Sequence, residues 1–474
     1  MNGRISSTWL LALVVAVSTV ASYSREDTKF RINFGSCHDV REPRCNEESM
    51  KIWDSITARN GNLWIWGGDN VYADTRPRSF GGVVRQYVNL SQPIQNFRRP
   101  LFTPASPTTI RELYGKLATI PQYKNFVKSI GKENIVGIWD DHDFGHNDAG
   151  KNYSWKEESQ QAFLDFFDVP KESPRRKRHG VYSFHDANQG KVRIIMLDNR
   201  YHRDDYSNKT GDFLGEDQWK WLEDTLASSK AKINVIVSGV QVFPIHPLRS
   251  KYVVEVWNRF PAARARLLNT IVRSQAKGVM LISGDVHYAE LMMANCTCTE
   301  KESKEKIPFH VPEFTASGMT HSWAKPRLIR AFLQFFFESQ PLPFRVENKY
   351  FLGKNFAELD LDLVENDLGS STIEYRCFDM FGQVHLKHKL NLAELKSFNA
   401  EKVDLETCEC VPYGGNVSKS DYMFRIAVFI FTIVLMVLLI FIVVLKLVKL
   451  LWVLLYKMVE QPFAIYFYDK EKLE

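Results

Sequence analysis

Short apolar runs alternate with amphipathic stretches along most of this chain. "KFRINFGSCHD", "NLWIWGGDNVYAD" and "NIVGIWDDHD" each read as an apolar strand that ends in a polar loop. "EESMKIWDSITARNG" spaces its apolar residues as a helix does and stops at a glycine. "SWKEESQQAFLDFF" predicts another helix, and "GVYSFHD" and "KVRIIMLDNRYHRD" predict strands. "EDQWKWLEDTLASSKAKINVIVSGVQ" and "PAARARLLNTIVRSQAKGVMLISGDVHYAEL" each predict a helix followed by a strand. Residues 75–131 predict a helical insertion, clearest in "TTIRELYGKLATIPQYKNFVKSIG". Later, "YFLGKNFAELDLD", "STIEYRCFD" and "QVHLKHKLNL" alternate apolar and polar residues like half-buried antiparallel strands. Strand–helix alternation followed by a β-rich end predicts one α/β domain with a mixed sheet, over residues 23–398.

The two ends depart from this pattern. Residues 1–22 combine one basic residue, a short apolar core and small residues at Ala21 and Ser22. That layout predicts a secretory signal peptide, with an N-terminal anchor as the alternative. Between Ile426 and Leu445 there is no charge, which is about the length of a bilayer-crossing helix. The expected span is 423–445, and Lys446, Lys449 and Lys457 beyond it put the tail, 446–474, in the cytoplasm. Residues 399–422 predict a cysteine-containing stalk. The expectation is a single-pass type I membrane protein. Its body would be lumenal or extracellular, at the plasma membrane or in a secretory or endolysosomal organelle.

Two further features suit that compartment. Glycosylation sequons stand at Asn89, Asn152, Asn208, Asn295 and Asn416, and all seven cysteines fall on the same side of the span. Cys296 with Cys298, and Cys408 with Cys410, are spaced too closely to bond within each pair, so each looks for partners elsewhere. The odd count leaves one thiol over. Composition adds little: 45% hydrophobic, 24% charged and a scattered net charge of +6 describe a globular chain with no expected nucleic-acid partner.

The chemistry lies in the loops after the strands. "GIWDDHDFGHNDAG" crowds acidic and imidazole groups directly behind an apolar run, and such carboxylates repel unless cations or donors compensate. The arrangement recurs. Cys37 follows one strand, Asp69 with Asn70 and Tyr72 a second, Asp141 and His142 a third, and Asp285 and His287 a fourth. Ligands of α/β sheets gather at the carboxyl ends of strands, so these loops are expected to converge. Their carboxylates, thiol, phenol and imidazoles suit hard or intermediate metal ions.

The ordered set "GSC", "GDNVYAD", "WDDHD" and "SGDVHYAE", with "LDNRYHR" and "SGVQVFP", resembles the PhoD-like, alkaline phosphatase D branch of the metallophosphoesterase superfamily. The resemblance covers residues 30–390 or so and implies a β-sandwich of mixed sheets flanked by helices. It implies a bimetal hydrolase of phosphate esters. Cys37, Asp69, Tyr72 and His287 would hold ferric iron, Asp69 would bridge, and Asp141 and Asp285 would hold calcium or another divalent ion. Beside such metals His142 would be the catalytic residue, donating to the phosphoryl group or protonating the leaving oxygen, and Asn70, Arg200, Arg203 and His321 would contact substrate.

The chain departs from the wider superfamily, which has Asp-x-His in the first loop, Asn in the third and Gly-His-x-His in the last. Here Cys37, Asp141 and Asp285 stand in those places, and only Ser238 or Gln241 is offered where another histidine would bind the second metal. Other readings stay open: a Cys37–Cys45 disulfide, a core Tyr72, surface ion pairs for Arg200 and Arg203, and a core His321. With Cys37 on a metal, six cysteines are free to pair. "PRRKRH" reads as a solvated loop or a protease-processing signal. The same metal loops would also serve a phosphodiesterase or phospholipase-type activity, or a non-catalytic binding protein.

Overall fold

The computed structural model describes residues 29–75, 102–244, 255–322, 330–331, 334–335, 343–365, 367–396, 398, 400–415 and 418–468. The expected signal peptide, the sequons at Asn89 and Asn416 and the middle of the expected insertion lie outside these residues.

Elements are numbered in chain order. Three short apolar strands, β1 (Lys29–Gly35), β2 (Leu63–Gly67) and β3 (Ile135–Ile138), run parallel, with Ile32 opposite Leu63 and Trp64 opposite Ile135. β2 is buried along its whole length, as a strand covered on both faces must be. β1 also pairs antiparallel with β11 (Asn355–Asp362), which continues through β12 (Thr372–Asp379) to β13 (Val384–Asn391). The sheet order is β13-β12-β11-β1-β2-β3.

The second sheet contains β4 (Ser183–Ala187), β5 (Val192–Met196), β6 (Ile233–Ser238), β7 (Val279–Ser283), β8 (Ala289–Glu300), β9 (Lys306–Ala316) and β10 (Arg345–Phe351). Its order is β10-β8-β9-β7-β6-β5-β4, with β5, β6, β7 and β9 parallel at its centre.

Three buried clusters define the layers. Ile32, Ile65 and Ile138 of the first sheet meet Ile194, Val235 and Ile282 of the second, forming the core of the sandwich. Each such side chain contributes about 1.5–3 kcal/mol on burial. A second cluster packs Trp53, Ile110, Phe126 and Phe163 from helices onto Trp64 and Trp66. These helices are α1 (Glu47–Thr57), α2 (Pro107–Thr119), α3 (Pro121–Ile130) and, past the short α4 (Asp141–Phe144), α5 (Lys156–Phe166). The third cluster packs Trp219, Leu222, Leu267 and Ile271 of α6 (Glu216–Ala227) and α7 (Pro261–Arg273) onto the other sheet. Both sheets are therefore mixed and flanked by helices.

Local chemistry explains where the helices begin. Asn46 accepts from the Ser49 amide while Ser49 Oγ accepts from the Asn46 amide, a reciprocal cap on α1. Ser106 caps α2 ahead of Pro107, whose missing N–H costs nothing in the first turn.

The stalk expectation is corrected. Residues 403–412 form β14 (Val403–Pro412), which pairs antiparallel with β8 and is cross-linked to it by Cys296–Cys410 and Cys298–Cys408. Each close pair faces the other across the two strands, so the cysteines bond between pairs. Of the six cysteines left free to pair, four do. Cys45 is a half-buried free thiol, and Cys377 lies in the core between the sheets as a small apolar side chain. Cys37 is free and buried, with no bond to Cys45.

The basic run is a partly exposed turn whose arginines are hydrogen-bonded. Arg176 donates to the Pro170 carbonyl at 3.0 Å and Arg175 to Val181 O at 3.2 Å, while Gln160 bonds the carbonyls of Arg175 and Arg178. A processing protease needs this backbone extended and free.

By internal contacts the chain divides into two units, residues 1–331 with 342–416, and residues 332–341 with 417–474. The second is dominated by α8 (Lys419–Tyr468), in which Met423–Lys457 is long and apolar enough to cross a membrane.

Replacing Cys296, Cys298, Cys408 and Cys410 together with serine opens the loop that both disulfides close and is expected to cost about 2–4 kcal/mol of stability. A guanidinium unfolding curve under oxidising conditions measures this. A midpoint equal to wild type would mean that β14 is held without its cross-links.

Candidate metal centre

The parallel strands end side by side, and their loops carry the reactive groups. Cys37 follows β1, Asp69 follows β2, Asp140 to His142 follow β3, and Asp285 and His287 follow β7. Four of these residues have left-handed backbones, with φ of 60° at Cys37, 52° at Asp69, 67° at Asp285 and 60° at His287. L-residues adopt that region at a cost, and single strained residues of this kind cluster at functional sites.

Asp69 is the hub. Its Oδ2 accepts from Tyr72 OH at 3.0 Å and from Cys37 Sγ at 3.5 Å, and its Oδ1 accepts from the His142 amide at 3.3 Å. Tyr72 OH is also 3.2 Å from His287 Nε2. Ligand atoms of Cys37, Asp69 and His287 lie within 4.8 Å of one another, as do those of Asp69, Asp140, Asp141 and Asp285. Two donor sets thus meet at one carboxylate. The first offers S, N and O atoms; the second is all oxygen, the choice of a hard cation such as calcium.

The electrostatics call for cations. Burial, then the neighbouring carboxylates, push Asp285 well above the usual carboxylate range. Asp69 is raised by burial, and the charge of His142 only partly offsets this against Cys37 and Asp141. Burial lifts Asp140 to about 7 despite its contact with Arg200. Burial also lifts the Cys37 thiol to about 11, so a thiolate here requires a positive partner. Two buried carboxylate oxygens, Asp140 Oδ2 and Asp141 Oδ1, find no hydrogen-bond donor among the described residues. Orphaned buried oxygens beside a convergent donor set fit metal ions.

His142 is different. Its Nδ1 is 2.7 Å from Asp74 Oδ1, and its ring stacks on Tyr72 with centroids 4.0 Å apart. Burial opposes its protonation, but Asp141, Asp69 and Asp74 together raise it to about 10. The bond to Asp74 leaves Nε2 for proton transfer. His287 is held down to about 3 by burial and then by the charges of His142 and Arg44, as suits a neutral ligand.

The remaining candidates are distributed unevenly. His321 meets Tyr72 and His287 edge-on, at centroid distances of 4.9 and 4.3 Å. Asn70 is buried, with Nδ2 on the Ile138 carbonyl at 3.0 Å. Arg200 is fully buried, 2.5 Å from Asp140 Oδ1 and 2.6 Å from Glu255, and Arg203 donates to the carbonyls of Ala149 and Asp204. These two guanidinium groups balance the acidic cluster and are committed before a substrate arrives. They are not surface pairs. Ser238 bonds Val240 O and Asn199, and Gln241 bonds Glu290 and Thr315, so neither replaces the missing histidine.

Sequence reasoning missed Asp140, Asp74 and Glu255. Asp74 closes the quoted "GDNVYAD" stretch, and Glu255 is an acid inside the apolar run "YVVEVW". Asp140 was masked by its neighbour Asp141. A cavity of about 430 Å³ opens beside the centre, lined among others by His146, Asp148, Lys151, Tyr153, Trp155 and Arg203. Asp148 joins it to the centre, since its carboxylate lies within 4.8 Å of those of Asp141 and Glu255. Of the sequons, Asn152 and Asn208 are exposed, whereas Asn295 is half-buried within β8 with Nδ2 on Tyr413 O.

The profile of the PhoD-like phosphatase family matches residues 32–366. Alkaline phosphatase D of Bacillus subtilis (strain 168) is 31% identical over a 114-residue alignment that covers 19% of this chain and 18% of that protein. The match thus spans less than a fifth of the relative's length. Among solved structures, one described as "Structure of PhoD" superposes with a TM-score of 0.50 at 16% identity, covering 84% of this chain and 76% of that one. Another, described as "GAP50 the anchor in the inner membrane complex of Plasmodium", gives 0.41 at 11% identity over 82% of this chain and all of that one.

Two glycines reserve the space for Asp140. A Cβ on Gly239 would stand 2.6 Å from Asp140 Oδ1, and one on Gly68, whose φ is +97°, would stand 2.7 Å from Asp140 Cβ. Gly239→Ala is expected to displace the Asp140 carboxylate and lower bound divalent metal while the domain stays folded. Elemental analysis beside a thermal melt reads both. Full metal content would mean that Asp140 does not belong to the donor set.

Proposed function

This chain belongs to the PhoD-like phosphatase family, and on that premise we propose that it is a membrane-anchored, metal-dependent phosphomonoesterase whose centre is built on Asp69. The observation that carries the reading is the sharing of Asp69 by two donor sets, with His142 alongside but held by Asp74. Cys37, Tyr72 and His287 complete one set; Asp140, Asp141 and Asp285 complete the other. Metals bound there supply positive charge against an anionic ester and acidify water.

The chain's own groups do the rest. His142 protonates the leaving oxygen through Nε2, while Asp74 fixes the ring and its tautomer. Arg200 neutralises part of the acidic wall from behind, so that the wall does not repel the phosphate outright. His321 lies at the rim of the phosphoryl site.

Thiolate and phenolate donors favour iron in the first set, and the oxygen donors favour calcium in the second. The apolar stretch Met423–Lys457 anchors the body, which faces the lumen or the cell exterior. The two disulfides support an oxidising compartment. Asn152 and Asn208 are the sequons best placed to carry glycans.

His142→Ala is expected to lower kcat about 10²–10⁴-fold, the usual contribution of a positioned acid, with metal content kept. Asp69→Asn is expected to lose metal from both sets. Turnover of a panel of phosphate mono- and diesters, with elemental analysis of each variant, makes the test. Equal metal loss in the two variants would remove the division between acid and ligand, and a wild type that hydrolyses only diesters would overturn the monoesterase reading.

Cys37→Ser addresses the iron. Thiolate and phenolate ligation of ferric iron gives charge-transfer colour, so the wild type is expected to be coloured and the variant shifted or bleached. A colourless, iron-free and fully active wild type would exclude iron and leave the hydrolase with other ions.

A further inference from the structure

The loop after β1 carries more than Cys37. Asp39 is buried, and its backbone amide donates to Thr320 Oγ1 at 2.8 Å. Its carboxylate holds two arginines. Oδ1 accepts from Arg41 Nε at 2.8 Å, and Oδ2 accepts from Arg41 Nη2 at 3.0 Å and from Arg44 Nη1 at 3.3 Å. One negative charge therefore faces two positive ones, leaving a net cation at this edge of the centre.

Both guanidinium carbons lie 5.8 Å from the centroid of the Tyr72 ring. The same ring carries the hydroxyl that bonds Asp69, stacks on His142 and meets His321 edge-on. Tyr72 thus spans from the metal donors at its hydroxyl to the guanidinium groups.

The two arginines are not equivalent. Arg41 is engaged by Asp39 through two nitrogens and by the Asp74 carbonyl through a third, at 2.5 Å, so it is a brace. Arg44 has one contact to Asp39, and its side chain is 42% exposed. Its backbone is nevertheless fixed: its amide donates to Arg41 O at 3.0 Å, and its carbonyl accepts from Ser49 Oγ at 2.5 Å. A half-exposed guanidinium on a fixed backbone, aimed by a buried carboxylate, is preorganised to bind an anion. Arginine's planar fork also matches the oxygens of a phosphate.

We propose that Arg44 receives a second anionic group of the substrate, so that the centre selects esters bearing a second phosphate over simple monoesters. The inference rests on the phosphoesterase reading. The phosphoryl group to be cleaved sits among the metal donors, and the second phosphate reaches past the Tyr72 ring to Arg44. No bond changes there; the contact is ionic.

The test uses full-length, metal-loaded protein with a hexose bisphosphate and the matching hexose monophosphate. Wild type favours the bisphosphate. Arg44→Gln lowers the ratio of the two kcat/KM values about tenfold, the size of one charge-assisted hydrogen bond, chiefly through KM for the bisphosphate. Arg44→Lys keeps part of the preference because it keeps the charge. An unchanged ratio, or an equal fall for both substrates, overturns the proposal. If wild type hydrolyses neither sugar phosphate, the phosphomonoesterase reading loses these substrates without touching the anion site, and calorimetric binding of inorganic pyrophosphate against inorganic phosphate then decides. A preference for pyrophosphate that Arg44→Gln abolishes supports the anion site; a preference that is absent, or that survives the substitution, overturns it.

Discussion

The carboxylates of Asp69, Asp140, Asp141 and Asp285 come within 4.8 Å of one another in the protein interior. Charges so close repel strongly where water cannot screen them. Much of the surrounding structure opposes that repulsion. Arg200 is buried against Asp140 and Glu255, His142 is made a strong base by the acids around it, and the backbone amide of Asp148 donates to Asp141 Oδ2 at 2.7 Å. Burying an arginine so completely is costly unless each of its faces meets an acid. The arginine and the acids therefore depend on each other, and metal ions held there would complete what they leave unbalanced.

Geometry is held by the sandwich. Left-handed backbones at Cys37, Asp69, Asp285 and His287 cost on the order of 1–3 kcal/mol each, and they persist only if the flanking strands over-determine them. Each follows a parallel strand whose last four residues are buried, and the His38 and Cys37 amides bond Asp69 O and Gly68 O across adjacent loops. Rigidity accumulated in the cores is used at the strand ends, where the candidate donors must keep their positions.

The sequence made the strands and their loops legible because each apolar run stops at a chemically distinctive residue. Cys37, Asp69, Tyr72 and His287 could be read this way, and they do come together. What could not be read was pairing at a distance. Nothing local says that Asp74 holds His142, or that Arg200 turns inward to Asp140 while Arg44, in an unremarked turn, stays half-exposed. The segment taken for a stalk shows the same limit. "VDLETCECVP" is polar and edge-like, and only its cross-strand partner, β8, makes it part of a sheet.

That pairing has a mechanical side. The chain passes from β14 to the long apolar helix, so a pull on the helix enters the body at the end of β14. Hydrogen bonds between two antiparallel strands could be undone one after another from such an end. Cys410–Cys296 and Cys408–Cys298 lie close to that entry point, and they pass the load covalently to β8, which is paired with β9 over eleven residues. The strand therefore cannot unzip while the disulfides are intact, and force is shared across the sheet. Reduction would turn the same junction into a peelable one, so the tolerance of this protein to tension is set by the redox state of its surroundings.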